Sequence, residues 1–181
     1  DVTDTTVVAS ILPGGSQFGK FQSWMQKLGD FLQTLKTKDG QPVPIIFRPW
    51  NENNGSWFWW GQKLCTDNEF RSLWNMLQDY LTEDRGFDNL LWCFSPNLDG
   101  QWTEERFLKR YPGNDRVMLI GEDAYQWGTE EDFKRDLRAD LTFLSGFAEK
   151  NGKLLAMTEC GLKNMPIEDR KSGSAGMPRP I

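Results

Sequence analysis

An α/β fold of the (β/α)8 TIM-barrel type is predicted for this chain by three features. Strand-like apolar runs alternate strictly with amphipathic helical stretches, which argues for a parallel sheet with helical crossovers. The strand runs are almost continuously apolar, as strands buried on both faces are. Each run gives way at its C-terminal end to polar or aromatic residues, the edge at which a barrel builds its active site. Four strands are visible in 181 residues, whereas a whole barrel has eight and typically about 250 residues. The chain therefore reads as about half a barrel.

The elements follow in order. Residues 1–19 are turn-rich, with Pro13, Gly14 and Gly15. Phe21, Trp24, Leu28, Phe31, Leu32 and Leu35 recur at helical spacing and predict a helix over 20–38, ended by Asp39-Gly40. Residues 43–47 form the first strand. A helix capped by Asp67 runs to about Thr82, with Phe70, Leu73, Trp74, Leu77 and Leu81 on one face. Residues 89–94 are the second strand, 104–110 a short helix and 117–120 the third strand. A long helix over 130–150 carries Phe133, Leu137, Leu141, Leu144 and Phe147, and 153–157 is the fourth strand. We expect one domain over 1–169 and a linker-like tail over 170–181, RKSGSAGMPRPI. The Lys and Arg residues along 104–116 and 134–138 mix with acids and read as solvated helix faces.

Composition narrows the chemistry. The net charge of −5 argues against a nucleic-acid partner, because phosphate binding wants a basic face. No apolar run approaches the roughly 20 residues of a membrane span, and no signal peptide opens the chain. Three cysteines without a CxxC spacing suggest neither a disulfide framework nor a zinc site. There is no histidine, so Ser-His-Asp and Cys-His chemistry and histidine-ligated metals are excluded. Catalysis would rest on carboxylates, Tyr, Lys or Arg, with no cofactor.

Two glutamates stand out. Glu52 lies in VPIIFRPWNENNGSWFWWG and Glu159 in KLLAMTECG, each placed as if ending a buried strand before a glycine-containing turn. Trp57, Phe58, Trp59 and Trp60 follow the first. Two carboxylates beside an aromatic floor suit cleavage of a glycosidic bond: one protonates the leaving oxygen, the other attacks the anomeric carbon or activates water. Strand-like alternation would put Trp57 and Trp59 on one side and Phe58 and Trp60 on the other, one pair buried and one facing sugar. Trp102 and Trp127, in loops after strands, could extend such a cleft, as could Asn97.

The run RPWNENNGSWFWWG closely resembles the acid/base segment of glycoside hydrolase family 26, the β-mannanases. RYPGNDRVMLIGEDAYQ, LLAMTECG, LLWCFSPN and VVASILPGG resemble further segments of that family in order and spacing. The resemblance implies an exported, retaining endo-β-1,4-mannanase acting on mannan or galactomannan, secreted or at the cell surface, with strands 4 to 7 of the barrel in this chain. It makes Glu52 the acid/base and Glu159 the nucleophile. Arg48 would hold a carboxylate ionised, Tyr125 would hydrogen-bond the nucleophile and Asp123 would brace the site. Trp57 would stack on a sugar, with Asn51, Trp60 and Trp127 also facing substrate. It further places the family's early strands before residue 1 and its strand 8 where the tail stands. Asn51 replaces the family's usual His, and Glu122 stands where a small or aromatic residue is commoner. Two alternatives stay open: a catalytically impaired polysaccharide-binding protein, or a glycosidase for another β-1,4-glycan.

Overall fold

A computed structural model describes residues 2–162; the tail expected over 170–181 lies outside the described residues. Four strands, β1 (Ile45–Phe47), β2 (Leu90–Phe94), β3 (Leu119–Gln126) and β4 (Leu154–Leu162), form one sheet in the order β1-β2-β3-β4. Every pairing is parallel. Helices α1 (Val7–Ile11), α2 (Phe18–Thr34), α3 (Asp67–Asp79), α4 (Glu104–Leu108) and α5 (Glu130–Asn151) precede or connect the strands. A π-helical turn, Tyr80–Asp84, continues α3. This is half of a (β/α)8 barrel.

The parallel register Ile45↔Leu90 and Phe47↔Trp92 places those side chains on one face of the sheet. That face carries the core, in which Trp92, Phe94 and Ile120 pack with Phe70, Leu73 and Trp74 of α3 and Leu144 and Phe147 of α5. The intervening residues Ile46, Leu91 and Leu154 lie exposed.

Four expectations need correction. Residues 7–11 are helical, not turn; their apolar run was masked by the glycines and proline that follow. Thr66, not Asp67, caps α3: its side chain accepts from the Glu69 amide while the Glu69 carboxylate accepts from the Thr66 amide, a capping box. Strands β3 and β4 run on past residues 120 and 157, so Asp123, Tyr125 and Glu159 lie within strands. Conversely, β1 starts two residues late and ends at Phe47 as expected, so Glu52 sits beyond it in a turn and not at a strand end.

Candidate active site

Arg48 follows β1 directly and ties the strand ends together. Its guanidinium donates to Asp123 Oδ2 at 2.7 Å, to Ser95 Oγ at 3.1 Å and to Glu159 Oε1. Burial opposes its charge, but Asp123 and Glu159 outweigh that and raise its pKa. Asp123 is fully buried and also accepts from the Thr158 hydroxyl at 2.6 Å. Burial raises the Asp123 pKa against the opposing pull of Thr158 and Arg48. A shift in register between β3 and β4 at Glu122/Asp123 pairs Asp123 with Glu159, which sets both carboxylates at one level of the edge.

Glu159 receives donors at both oxygens. Besides Arg48, the Asn51 amide reaches Oε1 at 3.4 Å, and the Tyr125 hydroxyl donates to Oε2 at 2.9 Å. The Tyr125 ring lies across Gly161, where a Cβ would come within 2.8 Å of it; only glycine leaves that space. Burial, then the bond to Glu159, pushes the Tyr125 phenol up to about 12.

Glu52 is reached by a different device. The chain turns after Arg48 with left-handed backbone at Trp50 (φ 53°) and at Glu52 itself (φ 51°), a conformation costly for non-glycine residues. The Glu52 amide donates to the Ser95 carbonyl at 2.8 Å. Asn54 exchanges two hydrogen bonds with the backbone of Asn97. Trp57 folds back so that its indole N–H donates to Glu52 Oε2 at 2.7 Å, its ring occupying the space a side chain on Gly55 would need. Burial raises the Glu52 pKa; the Trp57 bond opposes this, and the charges of Asp123 and Glu159 add to it.

The tryptophan block is not a strand, because no neighbouring strand pairs with it, and the expected alternation fails for Trp57 and Trp59. Trp57 is 49% exposed and points to Glu52, whereas Trp59 packs edge-on against Trp50 and Trp60. Phe58 stacks on Trp60 at 4.5 Å, as alternation foretold. Trp60 donates its indole N–H to the Asn51 carbonyl at 2.8 Å, a bond that shapes the turn. Trp102 packs on Phe107 behind this loop, and Trp127 stands exposed just beyond β3. Ser95 and Thr158, which contact Arg48 and Asp123, were visible in the sequence only as polar residues at strand ends. Arg110 corrects the solvated-face reading: it is 4% exposed and donates into the 53–65 loop.

Beneath the site, Glu122 and Asp140 are both fully buried. Asp140 accepts from the amides of Asp99 and Gly100, while Glu122 contacts the Asp140 carboxyl. Burial, then the Asp140 charge, pushes Glu122 up to about 9, which favours its protonated form at neutral pH, and neither of its carboxyl oxygens has a hydrogen-bond partner among the described residues. No group of histidine, cysteine and acidic residues among the described residues could hold a metal ion.

A half-buried carboxyl with a raised pKa, beside a second carboxylate held by arginine and tyrosine at the C-terminal edge of parallel strands, is the arrangement that defines a barrel glycosidase. A model of glycosyl hydrolase family 26 matches residues 3–165, and the chain belongs to that family. A mannan endo-1,4-beta-mannosidase from Bifidobacterium adolescentis is 37% identical over 183 residues, 97% of this chain and 18% of that protein. One from Bacillus subtilis strain 168 is 37% identical over 64% of this chain and 32% of its own length. The solved structure of a GH26 β-mannanase from Bacteroides ovatus superposes with a TM-score of 0.87 at 41% identity, over 96% of this chain and 49% of that one. The chain thus spans half or less of the length of these relatives.

Proposed function

We propose that the protein is a retaining endo-β-1,4-mannanase acting on mannan or galactomannan. The observation that carries this reading is the division of labour between the two glutamates. Glu159 is fixed at both oxygens by Arg48, Asn51 and Tyr125, as an aimed nucleophile is. Glu52 sits where burial favours its protonated form, as a general acid requires. A Glu159 oxygen attacks the anomeric carbon while the glycosidic C–O bond breaks and the Glu52 proton passes to the leaving oxygen. Glu52, now a carboxylate, takes a proton from water; that water attacks the same carbon and breaks the ester to Glu159.

Family membership supports the substrate, since relatives bear the name mannan endo-1,4-beta-mannosidase. Trp57, exposed beside Glu52, offers an indole face to a sugar ring, and Asn51, Trp60 and Trp127 are the further substrate contacts proposed on the same edge. A polysaccharide too large to cross a membrane calls for an enzyme outside it, secreted or on the cell surface.

Reducing-end release from galactomannan tests the reading. The protein should release oligosaccharides, and Glu52→Ala should lower kcat/KM by about 10²–10⁴-fold, the contribution of a positioned acid/base. Faster hydrolysis of β-glucan or xylan would overturn the substrate. Retardation in a mannan gel with no cleavage would make the protein a binder.

The Trp57 bond gives a second expectation. Its N–H favours the ionised form of Glu52, so Trp57→Phe should raise the Glu52 pKa further. The acid must be protonated to act, so the alkaline limb of the kcat/KM profile should move to higher pH even as the lost indole weakens binding. A limb that stays in place or moves down would contradict the assignment.

A further inference from the structure

Arg110 lies between α4 and β3, outside the carboxylate cluster, yet it is the most heavily bonded cation described in the molecule. Nη1 donates to the carbonyls of Asn53 at 2.7 Å and Trp60 at 2.9 Å. Nη2 donates to the Cys65 carbonyl at 2.8 Å and to its Sγ at 3.1 Å. Nε donates to Asp67 at 3.0 Å, and the guanidinium sits 4.7 Å from the centroid of the Phe70 ring. One planar group therefore gathers both ends of the loop carrying Trp57 and pins the residue directly after Glu52.

That loop needs holding. It has no strand pairing, and the turn leading into it holds two left-handed non-glycine residues, Trp50 and Glu52, a conformation that persists only where the surroundings enforce it. Lysine could not replace this cation, because three donors on a point charge cannot match carbonyls arrayed around a flat fork.

We infer that Arg110 is a positioning residue for proton delivery: by clamping the Asn53 and Trp60 carbonyls it holds Glu52 in the strained turn that aims its carboxyl at the leaving oxygen. The inference rests on Glu52 being the acid/base.

The test compares kcat/KM on mannan with kcat/KM on a 2,4-dinitrophenyl β-mannobioside. A sugar alkoxide leaves only with the acid's proton, whereas dinitrophenolate leaves without it, so the ratio reports acid delivery. Arg110→Lys should lower the mannan value about tenfold or more, within the roughly 10²–10⁴-fold an acid contributes, and leave the dinitrophenyl value nearly unchanged. Asp67→Asn, which loosens the guanidinium from its half-exposed partner, should shift the ratio the same way by a smaller factor and guards against a lysine variant that does not fold. Equal losses on both substrates would show a purely structural residue and overturn the inference, as would an unchanged ratio in both variants. A wild-type protein inactive on both substrates would instead remove the glycosidase reading, and this inference with it.

Discussion

Glu159→Ala should lower mannan hydrolysis by about 10⁴-fold or more, the order lost when a covalent nucleophile is deleted. The loss should extend to the dinitrophenyl substrate, because no leaving group, however good, substitutes for the attacking atom. The two glutamate variants then part company. With Glu52→Ala the first step on the activated substrate survives; with Glu159→Ala it does not. Added azide sharpens the contrast. In the Glu52 variant it should attack the glycosyl-enzyme and give a β-azide of retained configuration. In the Glu159 variant it should fill the space left by the carboxylate and give the inverted α-azide. Normal hydrolysis by Glu159→Ala, or a β-azide from it, would remove Glu159 from the nucleophile's role.

Arg48→Met should destabilise the protein by about 3–5 kcal/mol, the cost of stranding one partner of a buried ion pair. The stranded group is Asp123, which has no exposure and would be left with neutral hydroxyl partners, Thr158 among them. The pH dependence identifies the cause. Burial already raises the Asp123 pKa above its ordinary value of 3.8, and loss of the guanidinium raises it further. A folded-state pKa above the unfolded one means that stability falls as pH rises between the two. The deficit of the variant should therefore be largest at neutral pH and shrink toward pH 4, when read from urea midpoints. Asp123→Asn in the same chain should recover part of the loss. A deficit independent of pH would show that packing, not charge, is what Arg48 supplies.

The helices were the most legible part of the sequence. α2, α3 and α5 each carry apolar residues at three and four, and their buried faces keep that spacing, although α2 ends at Thr34, short of the expected 38, and leaves Trp24 and Phe31 exposed. The strands were legible from their apolar runs, and the ends of β1 and β2 fell where expected. The ends of β3 and β4 were not, because hydropathy stops where function begins: Glu122, Asp123, Thr158 and Glu159 interrupt the apolar runs while the backbone continues extended. Asp123 and Glu159 tolerate burial through partners brought from elsewhere, such as Arg48 for both and Tyr125 for Glu159, and a local pattern contains no trace of such partners. The tryptophan block misled in its geometry because alternation presumes a strand, and the turns at Trp50 and Glu52 break that premise. Arg110 was illegible for a simpler reason: on a mixed-charge segment a buried arginine and a solvated one look alike. The glutamates themselves were found because their neighbours, an aromatic block and a TEcG segment, are unusual in any context.

The left-handed backbone at Glu52 sets folding against chemistry at a single position. Glycine or asparagine would adopt φ near 51° more readily than glutamate does. A library screened for heat resistance alone would thus tend to enrich such residues at position 52 and discard the carboxylate, so that its hardiest members would be inert. Selection on cleavage is what keeps the unfavourable residue in place, and improvements in robustness are better sought in the helices than in this turn.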